Sequence, residues 1–458
     1  MRARAVRQTV KVTRDIVLSC HVSHVTCHFL WCYNLHNLKR SEGTVNETHV
    51  VVTGIGAITS VGNNVQTTWD NLLAGRSGVA RITLFDPANL VTQFAAEVKG
   101  FDPKNHFDVK EARRLERFVQ FAAVAGREAI ADAHLEINAH NCERIAVVIG
   151  SGIGGATSIV EQNKILESRG ARRVSPFIIP MILVDTAPAY VAIEFGIKGP
   201  NLAVVAACST GGNALGEAAE MIRRGDADAV ICGGTEACLA PVVFAGFNVM
   251  GALSTRNDAP EQACRPFDAA RDGFVIGEGA GIMVLENAEH ARARGARAYA
   301  ELVGYGTSAD AVHYAAPDAE GEGIGRSMQW ALRRAKIEPR AVGYINAHGT
   351  GTKLNDVVET RAIRQLFGEP ARQVPISSTK SMIGHTLGAA GALEAIFCVK
   401  ALQEQILPPT INYTVPDPEC DLDYVPNVAR RKEIRVTMSN SIGLGGHNSC
   451  LIFSIFDF

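Results

Sequence analysis

Short apolar runs rich in Val, Ile and Ala recur along the chain, separated by segments in which apolar residues return every three to four positions. Runs at Val50–Thr53, Ile145–Gly150, Leu202–Ala207, Ala229–Gly233 and Gly281–Leu285 are followed by a second set at Ala300–Gly304, Val342–Ala347, Val374–Ser377, Val436–Met438 and Cys450–Phe453. Runs that stay apolar at every position predict strands covered on both faces, and the intervening helical periods supply the covers. The pattern therefore predicts an α/β chain built on one plan used twice. After the third run, Leu215, Ala218, Ala219 and Ile222 fall at i, i+3, i+4 and i+7, and Gly225 follows Arg223 and Arg224 as a stop. A helix starting at Cys208 is expected there.

Three strand or loop junctions carry reactive side chains. Cys208 follows the run that ends at Ala207 and precedes that helix, so the positive end of the helix dipole is expected to lower its pKa and favour a thiolate. His348 closes the run ending at Ala347 and opens His348-Gly-Thr-Gly-Thr352. His385 lies in Ser378-Thr-Lys380-Ser-Met-Ile-Gly-His385, ahead of the small-residue helix Leu387–Leu393. Open α/β sheets build their sites at such junctions. A histidine near a helix N-terminus is pushed toward its neutral form, which can donate a hydrogen bond to a polarised carbonyl. Alone, each of the three residues fits a structural role. Together they make a nucleophile and two electrophilic donors.

Composition narrows the function classes. The 458 residues hold 45 basic and 47 acidic side chains with no long basic tract, which argues against nucleic acid as a partner. Eleven cysteines without paired spacing argue against a disulfide framework and for a reducing compartment. No run reaches the roughly 18 apolar residues of a membrane span. Gly54-Ile-Gly56 and Gly150-Ser-Gly152-Ile-Gly154-Gly155 complete neither a dinucleotide fingerprint nor a P-loop, so tight turns and close packing are expected of them. Residues 1–48 stand apart, with seven Lys or Arg against three acids, three cysteines and four histidines. Their gaps match no zinc-finger spacing, and the segment reads as a disordered tail or an over-long start. No metal site is expected.

Ala206-Ala-Cys208-Ser-Thr210, Ala347-His348-Gly-Thr350-Gly-Thr352, Ser378-Thr-Lys380-Ser-Met-Ile-Gly-His385 and Gly443-Leu-Gly445-Gly446-His-Asn448 together resemble the signatures of elongating β-ketoacyl-acyl-carrier-protein synthases. The likeness starts near His49 and keeps the family's order to the C-terminus. It implies the thiolase-like fold, a duplicated α-β-α-β-α five-layer architecture, with halves at 49–299 and 300–458. It implies decarboxylative condensation of an acyl chain held on Cys208 with malonyl-acyl-carrier protein, in the elongation step of fatty acid synthesis. It implies His348 and His385 as enolate-stabilising donors and the backbone amides of Cys208 and Leu444 as the oxyanion hole. Lys380 is implied as support for His385 with the carboxylates Asp356 and Glu359; a buried Lys380–Glu359 pair of purely structural use is the alternative. Thr350 and Thr352 are implied to bind the phosphopantetheine arm, although both equally suit a turn. No cofactor is implied beyond that arm. Acyl carrier protein as partner, a homodimer and a cytoplasmic location complete what the likeness implies.

One departure bears on specificity. Leu444 stands where the family usually has a gating Phe, and Ile442 where a second Phe is frequent, so a backbone role transfers while the gating role does not. Arg113, Arg114 and Arg117 are candidates for a basic lip that meets an acidic carrier, against the alternative of a solvated helix face. Other readings stay open: a type II polyketide ketosynthase, a thiolase or chain-initiating synthase using coenzyme A, and a non-catalytic chain-length-factor-like scaffold. Cys208 argues against the scaffold. A thiolase is expected to have a second catalytic Cys in a Gly-rich loop near the C-terminus, where Cys450 instead sits in an apolar strand; a chain-initiating synthase is expected to have Asn at position 385.

Overall fold

A computed structural model describes residues 48–457, so the expectation for residues 1–48 lies outside the described residues apart from Thr48. Ten strands join in one mixed sheet: β1 (Val50–Ile58), β2 (Ile145–Gly150), β3 (Asn201–Leu202), β4 (Ala229–Glu236), β5 (Gly279–Asn287), β6 (Ala300–Ala309), β7 (Tyr344–Asn346), β8 (Ile376–Ser377), β9 (Val436–Gly443) and β10 (His447–Ser454). Their spatial order is β8-β7-β9-β10-β6-β1-β5-β4-β2-β3. Numbered within its own group of five, each half has the same order, 3-2-4-5-1, with the same mixture of parallel and antiparallel neighbours. The halves meet through an antiparallel contact of β1 with β6, where Val51 faces Glu301 and Val52 faces Ala300.

Six helices complete the layers: α1 (Arg117–Asp132), α2 (Thr186–Phe195), α3 (Thr210–Arg223), α4 (Glu322–Ala335), α5 (Lys353–Phe367) and α6 (Ala390–Glu404). Helices α1 and α2 cover the first five strands, α4 covers the last five with α5 packed beside it, and α3 and α6 pack together between the two sheet halves. The expected face of α3 is inside: Leu215, Ala218 and Ala219 are fully buried and Ile222 nearly so. Helix α6 is buried on all sides from Ala390 to Val399, as a helix in the middle layer must be. This is the twice-used α/β plan that the pattern of runs predicts, in the thiolase-like arrangement that the resemblance implies.

Gly54 and Gly56 serve close packing rather than a ligand. A Cβ at either position would lie 2.1 or 2.0 Å from the carbonyl oxygens of Ala129 and Ala125, so α1 can lie directly on β1 only because those side chains are missing. Strand ends depart from expectation in both directions. The run Leu202–Ala207 pairs only as far as Leu202, because the turn ahead takes over the backbone groups of Ala206. Its N–H donates to Thr210 Oγ1 at 2.8 Å and its carbonyl accepts from the Ser209 amide at 3.1 Å. Conversely, β9 runs on through Ser439, Asn440 and Ser441, polar residues buried at the centre of the molecule. Among the described residues no helix is long and apolar enough to cross a membrane.

Candidate active site

The chain turns sharply at Ala207, whose φ of 48° is left-handed, and passes through the tight turn Ala207–Ser209 into α3. Such a conformation costs a non-glycine residue about 1–2 kcal/mol and is held here by the hydrogen bonds around Ala206. The helix proper thus begins at Thr210, and Cys208 sits in the turn leading into it. The duplicate half repeats the device: Leu387, with φ of 46°, opens the turn Leu387–Ala389 ahead of α6. His385 lies two residues upstream of that turn. It is pinned through its backbone, its N–H donating to the Val275 carbonyl at 2.7 Å and its carbonyl accepting from the Gly277 amide at 2.9 Å.

Cys208, His348 and His385 line one cavity of about 680 Å³. The two imidazole centroids are 5.2 Å apart with planes at 86°, and Phe274 meets His385 edge-on at 5.4 Å. All three reactive side chains are buried. Burial pushes the Cys208 thiol up to about 11, against the downward pull of the Leu444 and Cys208 backbone amides and of Lys380; the Glu236 carboxylate adds to the rise. The expected lowering of this pKa is therefore overturned: loss of solvent outweighs the two amides and Lys380. Both histidines are held well below the usual range, first by burial and then by Lys380, with each other's charge adding at His348. They are neutral as expected, but for a different reason from the helix dipole. The Leu387 amide donates to His385 Nδ1 at 3.3 Å, which leaves the ring proton on Nε2.

The carboxylates are arranged otherwise than expected. Lys380 donates to Glu394 on α6, not to Glu359, and both partners are buried. Glu359 instead accepts from the backbone amides of His348 and Gly349, both at 2.8 Å, and from Asn440 Nδ2 at 3.3 Å. Asp356 accepts from the Phe267 amide at 2.8 Å and the Gly351 amide at 3.2 Å, with Arg271 Nε 3.6 Å away. These two acids shape the 348–351 turn from below and do not pair with Lys380. Burial raises both Glu359 and Glu394 to about 7.

A further acid that the sequence reading missed is Glu236. It is fully buried at the end of β4 and accepts from Ser151 Oγ at 2.7 Å and from the amides of Gly152 and Gly388 at 2.8 and 3.0 Å. It ties the loop after β2 to the turn that follows His385. A lone acid closing an apolar strand, and in Glu394 a lone acid inside a small-residue helix, were the available signals.

Thr350 and Thr352 line the cavity with their hydroxyls 3.1 Å apart, and Thr352 Oγ1 also caps α5 by accepting from the Asn355 amide at 3.3 Å. Leu444 and Ile442 line it as well; Ile442 is buried and Leu444 partly exposed. Leu444 rides on the turn between β9 and β10, where Gly445 and Gly446 take φ of 86° and 75°, values closed to most side chains. Of the three arginines, Arg117 is not a free surface cation. It grips buried Glu278 with two nitrogens at 2.9 and 2.7 Å, while Arg113 and Arg114 are exposed and Arg114 stacks 4.5 Å over Phe177.

Known proteins resemble this chain in sequence and in fold. Residues 47–291 match the family described as β-ketoacyl synthase, N-terminal domain, and residues 299–414 match β-ketoacyl synthase, C-terminal domain. A 3-oxoacyl-[acyl-carrier-protein] synthase 2 of Staphylococcus aureus is 53% identical over 408 residues, covering 89% of this chain and 98% of that protein. The crystal structure of a β-ketoacyl synthase from Burkholderia phymatum aligns with a TM-score of 0.83 at 38% identity, covering 90% of this chain and 100% of that one. A type II PKS ketosynthase, solved with its acyl-carrier protein and bound to the hexaketide, aligns with the same TM-score at 34% identity and the same coverage.

Proposed function

The chain belongs to the β-ketoacyl synthase family, and from that premise we propose that it is the elongating 3-oxoacyl-acyl-carrier-protein synthase of fatty acid synthesis, working through Cys208, His348 and His385. The observation that carries the reading is that one thiol and two neutral imidazoles, the rings 5.2 Å apart, share a single cavity. The higher identity to the 3-oxoacyl synthase, 53% against 34%, supports this over polyketide duty. The cysteines of the described residues are all free thiols, which suits a reducing cytoplasm.

The chemistry proceeds in two stages. Cys208 sulfur attacks the carbonyl of an acyl thioester; as the tetrahedral intermediate collapses, the carbon–sulfur bond to the phosphopantetheine breaks and the departing sulfur takes the thiol proton, leaving the acyl group on Cys208. The amides of Cys208 and Leu444 hold the oxyanion of the tetrahedral intermediate. Malonyl-acyl-carrier protein then enters. His348 and His385 donate to its thioester carbonyl, carbon dioxide leaves, and the electron pair it leaves behind is held as an enolate. The enolate carbon attacks acyl-Cys208, the carbon–sulfur bond breaks to leave the Cys208 thiolate, which takes up a proton from solvent, and a 3-oxoacyl-acyl-carrier protein is released. Two uncharged donors suit this work because a histidinium would be too costly in so buried a site. The Lys380–Glu394 pair positions His385 electrically, and Glu359 and Asp356 hold the turn that carries His348, Thr350 and Thr352.

Intact mass after mixing with acyl-acyl-carrier protein tests the first stage: one acyl group is expected on the native chain and none on Cys208→Ala. Addition of malonyl-acyl-carrier protein is expected to release carbon dioxide and discharge the adduct. In His348→Ala or His385→Ala the second stage should fall by on the order of 10² to 10³ while the adduct still forms. An adduct that forms on Cys208→Ala, or one that malonyl-acyl-carrier protein cannot discharge, overturns the reading.

A further inference from the structure

One short segment lines the cavity at successive depths. Thr350 is buried, Thr352 half-buried and Lys353 exposed, whereas Cys208 and both imidazoles at the inner end are buried. The segment therefore runs from the reacting groups out to solvent. Its outer end is held rigidly: Arg271, itself 3% exposed, donates from Nε to the Thr352 carbonyl at 3.1 Å and from Nη2 to the Lys353 carbonyl at 3.0 Å. Asp417 and the Asp268 carbonyl hold the remaining Arg271 nitrogen at 2.5 and 2.9 Å. The backbone of Lys353 is fixed, while its ammonium has no carboxylate or hydrogen-bond partner among the described residues.

Two other titratable groups share the mouth. Asp272 accepts from the Thr255 amide at 3.1 Å. His313 accepts at Nδ1 from the amides of Ala315 and Ala316 at 3.0 and 3.1 Å, which turns its Nε2–H outward. Both are engaged by their own loops. Lys353 alone presents a full positive charge with nothing to neutralise it, on a cavity whose inner end holds the thiol.

We propose that Lys353 is a binding residue for the phosphodiester of the substrate's pantetheine arm. This deepens the condensing-enzyme reading and rests on it. A pantetheine arm carries its thioester at one end and its phosphate at the other, with two amides between. The cavity offers the matching order: Cys208 at the bottom, the Thr350 and Thr352 hydroxyls along the wall, and an unpaired ammonium at the mouth. A lysine suits the role because a compact point charge on a flexible stem can follow a phosphate whose carrier rocks on the surface.

The test compares Cys208 acylation, followed by intact mass, using three donors: acyl-acyl-carrier protein, free acyl-phosphopantetheine, and acyl-pantetheine, which lacks the phosphate. Lys353→Met should raise the KM for both phosphate-bearing donors by about five- to twentyfold with kcat nearly unchanged, and leave acyl-pantetheine unaffected. Lys353→Arg should keep most of the native KM, and Lys353→Glu should lose more than Lys353→Met. Because the side chain is exposed, thermal unfolding should be the same in all variants. If Lys353→Met changes the three donors equally, or none of them, the phosphate assignment is wrong although the condensing reading stands. If the native chain is acylated by none of them, the condensing reading falls and takes Lys353 with it.

Discussion

Cys208 combines the position of a nucleophile with a thiol that burial keeps protonated. With its pKa raised to about 11, the thiolate fraction at pH 7 in the free protein is on the order of one in 10⁴. The neutral form dominates below about 11, so the reactive fraction grows about tenfold per pH unit as pH rises toward that value. Substrate changes the balance, since an acyl thioester accepts the developing charge on its own oxygen and its departing sulfur takes the proton. The rate of Cys208 alkylation by iodoacetamide in the free protein should therefore climb steadily from pH 7 to pH 10, while acylation by acyl-acyl-carrier protein is already fast at pH 7. A plateau of alkylation by pH 8 would show an activated thiolate in the free protein and overturn the account of a thiol kept protonated by burial. At the same scale, Leu444 separates two duties. Its backbone amide acts on the sulfur whatever its side chain, and its smaller side chain leaves one wall of the cavity less obstructed than a ring would.

The two central helices decide whether the reactive groups meet at all. Helices α3 and α6 approach through residues with almost no side chain: a Cβ on Gly391 would lie 2.6 Å from the Gly212 amide nitrogen and 2.8 Å from Ser441 Oγ. Backbone on one side cannot give way as a flexible side chain would. Gly391→Ala should therefore force the helices apart, lowering stability by about 1–3 kcal/mol in chemical denaturation and reducing condensation more than the stability loss explains. Unchanged stability and activity would mean that the middle layer is looser than its packing implies. The junctions were legible in the sequence because each reactive residue stands where an apolar run gives way to small residues and a helical period. The partnerships were not. Lys380 chooses Glu394 over Glu359 according to how α6 crosses the layer, which no spacing along the chain encodes. Strand ends were missed for a related reason: Ser439, Asn440 and Ser441 are buried, yet hydropathy places them outside, because it counts their polarity and not their surroundings. The duplicated plan survived such errors, since it rests on the order of the runs rather than on their limits.

At the scale of the molecule, the repeat makes a contrast that bears on assembly. The sheet has two outer edges, one supplied by each half, and pseudo-symmetry would give them the same fate. They differ. At one edge β8 is fully buried and its Ile376 amide donates to the Asp423 carbonyl at 2.7 Å, so a later segment of the same chain covers it. At the other edge, Leu202 of β3 is 51% exposed, Val205 just beyond it 59%, and Ile193 on the adjoining α2 80%. An open strand edge is a template for pairing with another chain, and apolar side chains grouped beside it mark an interaction surface. Two copies related by a two-fold axis can pair β3 with β3 antiparallel, each covering the other's apolar side chains in a self-complementary contact. A homodimer is the expected state, and sedimentation velocity at micromolar concentration should return twice the chain mass. Leu202→Glu with Val205→Glu places like charges opposite each other across the axis and should yield monomers, with the fold intact by circular dichroism because both positions are on the surface. A native chain that sediments as a monomer at tens of micromolar, or a double variant that remains dimeric, would place the contact elsewhere and leave this edge unexplained.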